Sequence, residues 1–241
     1  MLITRHAEAE AVLSDARYVP PPVRQDGAEG TLAWLRARVS RFSSGETHAR
    51  RRRELAGPLS GLDPARLRSA ARALTGRRGG DWRGVPTAVL AEALGVEDSG
   101  AVPAAAAGYL SGRESPEADA AAAELLKQAG IPVITLLLQA HAATEGLIEN
   151  ALERAATGPS RDDIDELLRE TLRWDPPLTA TRRLDTRTGD EVVIDLVAAN
   201  RDPRPCDPAG SHLTFGHGLR PCPAPEHALA LAAGVLEGLL T

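Results

Sequence analysis

The sequence predicts a mainly α-helical fold with small β-strands, on three observations. Ile131 to Leu152 is the most apolar stretch and is too long for a strand, so it is the natural central helix. Several other segments carry helix punctuation, such as the Asp63-Pro64 start and the Gly95 stop. Strand-like sequence is confined to short pieces such as Val192 to Leu196.

The elements follow in chain order. Ile3 to Asp15 is predicted as a strand end and a short helix with Ala7, Ala11 and Val12 on one side, and Pro20, Pro21 and Pro22 then stiffen a loop. Thr31 to Phe42 is expected to form one amphipathic helix, and Glu46 to Leu59 another that carries the basic run Arg50 to Arg53. Asp63 caps a helix running to Arg77, with Pro64 in its first turn. Trp82 to Leu94 is predicted helical, ended by Gly95. The alanine-rich stretch from Gly100 to Lys127 is interrupted by Gly108, Gly112 and Pro116, so it forms at most two short helices. Arg161 to Trp174 is an acid-and-arginine helix, and a final helix runs from about Glu226 to Leu240.

Composition narrows the function classes. A chain of 241 residues is most simply one domain spanning residues 1–241. The formal net charge of −5 and an aromatic content of 3% give no call for nucleic acid or an anionic membrane. The start lacks a basic-then-apolar leader pattern and no run of about 18 apolar residues occurs, so a soluble, cytoplasmic protein is expected. Reduced thiols at Cys206 and Cys222 are favoured over a lone disulfide.

The chemistry concentrates in His212 to Leu231. Phe215, Gly216, Gly218 and Arg220 precede Cys222, which stands just ahead of the last helix. Glycines admit backbone conformations closed to other residues and let a flat ligand approach, and a cysteine before a helix has its thiolate favoured by free N–H groups. This pattern describes a metal-ligand thiolate. Cys206, His212, His217 and Cys222 also form Cys-x5-His-x4-His-x4-Cys, an alternative set for structural zinc, although without the tight pairs of common zinc modules.

The Phe-x-x-Gly-x-Arg-x-Cys segment resembles the haem-ligand loop of the cytochrome P-450 family, and ITRHAEAEAVLSDARY, ETHARRRRELAGPL, LLLQAH, LIENAL, ETLRWDPP and AANRDP are similar to other stretches of that family. The resemblance implies a reduced cytochrome P-450-like fold, with N-terminal strands, lid helices and C-terminal strands shortened or missing. It further implies haem b held by Cys222 as the axial iron ligand, beside Phe215, Gly216, Gly218 and Arg220. His48 and Arg52, four apart on one helical face, take the place of the family's propionate-binding pair. Arg182, with Arg183 beside it, stands where another propionate arginine is often found. Glu170 and Arg173 match the Glu-x-x-Arg element, implying a structural network behind the haem. Two departures stand out. Ala224 replaces the usual glycine after the cysteine, and Ala142 and Ala143 occupy the positions of the distal acid and alcohol that deliver protons to bound dioxygen. His141, Thr144 and Glu145 are the nearby protic candidates.

By resemblance, the expected activity is an oxidoreductase of monooxygenase type, tailoring a small molecule in specialised metabolite biosynthesis. Its oxygen activation would be non-standard, and the expected variants are peroxide-driven oxidation, an unusual rearrangement or heteroatom chemistry on a biosynthetic intermediate. A partner protein can present the substrate and a ferredoxin can supply electrons, with Arg50, Arg51 and Arg53 offering a basic surface. A reduced lid exposes apolar surface, which favours a covering partner or a homo-oligomer. The alternative is a non-catalytic helper that binds and activates a biosynthetic enzyme such as a glycosyltransferase.

Overall fold

The computed structural model describes residues 1–157, 163–203 and 211–240, and among these the fold is mainly helical with one four-stranded sheet. The chain groups into two compact units interleaved along the sequence: Met1–Pro21 with Gly146–Pro225, and Pro22–Glu145 with Glu226–Thr241.

The first unit contains β1 (Leu2–Ile3), α1 (His6–Ser14) and β2 (Tyr18–Val19). It continues with the C-terminal part of α8 (Ile131–Thr157), then α9 (Ile164–Trp174), β3 (Ala180–Asp185), β4 (Glu191–Asp195) and α10 (Leu196–Arg201). Its sheet has the order β1-β4-β3-β2, with β1 parallel to β4 and the other pairs antiparallel. Val192 and Ile194 alternate inward on β4, where Ile194 lies in register with Ile3. With Ala9, Val12, Leu13, Leu196, Ala199 and Leu213 they form the core of this unit. The buried side of α1 is His6, Ala9, Val12 and Leu13, whereas Ala7 and Ala11 are exposed. Packing sets that phase: the His6 ring is enclosed and its Nδ1 stands 3.1 Å from the Ala199 carbonyl of α10.

The second unit holds α2 (Leu32–Arg36), α3 (Gly45–Ser60), α4 (Pro64–Arg77), α5 (Val85–Ala93), α6 (Val102–Tyr109), α7 (Pro116–Gln128), the start of α8 and nearly all of α11 (Pro225–Leu240). The single helix expected over Thr31 to Phe42 is instead α2 and a 3-10 turn at Ser40–Phe42. Arg51 of α3 explains the break, because its Nη1 donates to the carbonyls of Ala37 at 2.9 Å and Val39 at 3.2 Å. Likewise α5 starts at Val85 rather than Trp82, after Gly84 at φ +74°. Asp63 caps α4 as expected, accepting from the Ala65 N–H, and the alanine-rich stretch forms two short helices, α6 and α7. Helix α11 passes so close to α4 that a Cβ at Gly234 would lie 2.2 Å from the Arg68 carbonyl oxygen. By length and composition α8 could cross a membrane, yet 44% of its most apolar window is buried inside the protein.

Candidate functional site

Cys222 lies in a wired loop. Its N–H donates to the Phe215 carbonyl at 2.6 Å, and the Ala224 N–H points at its Sγ at 3.5 Å, just before α11 begins. An N–H aimed at sulfur beside a helix start, as the Ala224 N–H is, favours a thiolate over a thiol. Gly216 and Gly218 take φ +77° and +62°, conformations that side chains disfavour. At Gly218 space also decides, since a Cβ would meet Ser14 Oγ at 2.5 Å and Leu13 O at 2.8 Å. The loop tip is thereby seated on the end of α1, and the Leu219 N–H donates to Leu13 O at 3.3 Å. Phe215, Arg220 and Cys222 are half-buried.

Histidines surround this loop. His217 Nδ1 and His6 Nε2 stand 3.9 Å and 3.4 Å from the same Glu10 carboxylate oxygen. His212 stacks obliquely on Phe215, and its Nδ1 accepts from the Thr214 N–H at 3.3 Å. Burial first, and then the nearby His6, push the His212 imidazole below its ordinary range. For the zinc alternative, Cys206 lies outside the described residues, and among those described no three potential ligands gather.

On α3, His48 and Arg52 are half-buried and share a stripe with Leu55, the only buried residue of that helix. Arg50 and Arg53 face solvent. Arg51 does not belong to that free basic surface, because it is committed to the Ala37 and Val39 carbonyls; burial, and then Arg50, push its guanidinium down from its ordinary range.

Behind the Cys222 loop in sequence, Glu170 receives Arg154 of α8 at 3.2 Å, and the same guanidinium reaches Asp175 at 2.7 Å. Arg173, three residues along α9 from Glu170, stacks on Trp174. The network around the Glu-x-x-Arg element thus includes Arg154 and Asp175, which the motif alone does not signal. On the sheet, Arg182 is exposed and pairs with Glu191 at 3.4 Å, while Arg183 is half-buried and donates to Thr181 Oγ1 at 3.0 Å.

The segment His141–Glu145 of α8 divides by direction. His141 Nδ1 lies 2.8 Å from Thr87 Oγ1 of α5, and Glu145 accepts from the Gly84 N–H at 2.8 Å. Thr144 is enclosed, and its hydroxyl has no partner among the described residues. Ala142 is exposed and Ala143 half-buried. The two ionisable side chains of the segment therefore turn to α5, away from the direction of Ala142, about 100° around the helix from His141.

No protein-family model and no curated protein matches this sequence. Solved structures do match. The chain is similar to P-450 BioI, solved in complex with a hexadec-9Z-enoic acid-ligated acyl carrier protein, at a TM-score of 0.79 and 20% identity over 99% of this chain and 84% of that one. It is similar to the thermophilic cytochrome P-450 from Sulfolobus tokodaii at a TM-score of 0.72 and 19% identity, over 98% and 85% of the two chains. The mixed-function P-450 MycG gives a TM-score of 0.72 and 22% identity over 99% and 81%. At these TM-scores over nearly its whole length, this chain has the fold of the cytochromes P-450.

Proposed function

We propose that this protein is a haem-thiolate oxidoreductase that oxidises a small molecule. One observation carries the reading: on a P-450 fold, the cysteine before the last helix sits in a loop held by two positive-φ glycines, with the Ala224 N–H on its sulfur. That loop fits a thiolate ligand to haem b, and the resemblance names His48 and Arg52, and separately Arg182 or Arg183, as the candidates for its propionates. Bound through a thiolate, haem supplies one-electron and oxygen chemistry. This chain's own residues then position the substrate and exclude water. Neither Ala142 nor Ala143 can hold or move a proton, and His141 and Glu145 are engaged with α5. Oxidation driven by peroxide, which brings its own protons, follows more readily than oxidation driven by dioxygen and a ferredoxin.

The neighbour solved with an acyl carrier protein supports a substrate presented by a partner, and exposed Arg50 and Arg53 suit an acidic one. A tailoring step in specialised metabolism is part of this proposal. The same distal alanines favour a second reading, a helper protein that retains the fold and assists a partner enzyme.

An optical spectrum tests both. The purified, haem-reconstituted protein is expected to be red, with a reduced carbon monoxide complex at the thiolate position, and Cys222→Ser should abolish that band. A colourless protein that refuses haem would sink the enzyme reading and leave the helper.

A further inference from the structure

We propose that Asn200 is the positioning residue that fixes the Cys222 loop to the end of α9, a role resting on the haem-thiolate reading only for its functional consequence. Asn200 is completely buried. Its Oδ1 accepts from the Leu213 N–H at 2.7 Å, and its Nδ2 donates to the Leu172 carbonyl at 3.2 Å and to Thr214 Oγ1 at 3.0 Å. Thr214 Oγ1 in turn donates to the same Leu172 carbonyl at 2.6 Å. The directions are forced. A backbone N–H only donates and a carbonyl only accepts, so the amide has one orientation and the hydroxyl one direction.

Leu172 O is one of the last four carbonyls of α9, which have no partner inside the helix. Asn200 and Thr214 supply that partner, and Arg201 does the same for Trp174 O at 3.1 Å. The end of α9 is therefore capped by α10 and by the chain entering the cysteine loop. Leu213 O then accepts from the Gly216 N–H at 2.8 Å, and Phe215 O from the Cys222 N–H. Asn200 holds the stem of the loop, as the end of α1 holds its tip at Gly218. No other uncharged side chain of this size supplies two donated hydrogens and an acceptor together, since a hydroxyl has only one O–H. Leucine would leave the buried Leu213 N–H unpaired, and aspartate would aim a carboxylate at Leu172 O.

The test compares Asn200→Leu with Thr75→Val, which removes a buried hydroxyl bonded only within α4. Backbone amide exchange is measured on the haem-free proteins, and the reduced carbon monoxide spectrum on the reconstituted ones. Losing the bond to a buried N–H should speed Leu213 exchange by about tenfold in Asn200→Leu and shift a substantial part of the thiolate band to the protonated-thiol position. Thr75→Val should lower the melting temperature without either change. Should Asn200→Leu fail to fold, Thr214→Val removes one arm of the network and should speed Leu213 exchange about threefold, with Thr214→Ser restoring it. Unchanged exchange at Leu213 in the folded variant, or an equal effect of Thr75→Val, overturns the proposal. If the wild-type protein takes up no haem, the haem reading fails alone, and the exchange measurement still decides the role of Asn200.

Discussion

Thr87 Oγ1 and His141 Nδ1 stand 2.8 Å apart, binding the start of α5 to the middle of α8. Glu145 repeats the connection one turn later, through the Gly84 N–H. Both ionisable groups that flank Ala142 and Ala143 are thereby spent on structure. Thr87→Val should cost about 1 kcal/mol of stability, the usual net worth of such a bond, in a denaturant titration. The reduced carbon monoxide spectrum and the turnover should not move. A stable Thr87→Val protein with abolished turnover would return His141 to the chemistry.

The alanines make a complementary prediction. The double variant Ala142→Glu, Ala143→Thr places an acid at the exposed position 142 and an alcohol at the half-buried position 143 of α8. Ferredoxin-supported oxidation should then rise by at least about a hundredfold, the lower range for a positioned proton-transfer group, while peroxide-supported oxidation changes far less. Equal gains with both oxidant sources would show that proton delivery is not what Ala142 and Ala143 limit.

His212 predicts a pH dependence. Its folded-state value is depressed below the ordinary histidine value of 6.5, so the unfolded chain binds the proton more readily. Its contribution is present in full above the unfolded value and declines as pH falls below about 6.5, levelling off once the folded imidazole is also protonated. Melting temperatures measured from pH 8 to pH 5 should fall less steeply in His212→Asn than in the wild type.

Tyr109 is fully buried, its hydroxyl has no partner among the described residues, and burial holds its phenol far above the ordinary range. An unsatisfied buried hydroxyl costs about 1–3 kcal/mol, so Tyr109→Phe should leave stability unchanged or raise it. The tilted ring contact with Phe42 is retained in that variant. A loss above about 1 kcal/mol in thermal or denaturant unfolding would mean that the hydroxyl has a partner, such as an enclosed water.

Local chemistry was readable where one or two residues dictate a backbone state. Asp63 followed by Pro64 starts α4, Gly95 at φ +74° ends the α5 segment, and Gly216 and Gly218 shape the cysteine loop. The strand β3 was not readable, because ATRRLD has no apolar alternation; its ladder with β4 makes it a strand. The break after α2 depends on Arg51, fourteen residues away from Ala37. The motif that placed Glu170 and Arg173 contains nothing of Arg154, which comes from another helix.

The sequence by itself determined the helical class, the position of Cys222 ahead of the last helix, and the presence of two aprotic residues, Ala142 and Ala143, within the long helix. Those depend on residue identity and on spacing along one element. Only the tertiary structure decided which way His141 and Glu145 point, which side of α1 is buried, and that Asn200 joins α9 to the cysteine loop. Each depends on donors and acceptors brought together from distant parts of the chain, where a buried polar group must find its partner whatever its local preference.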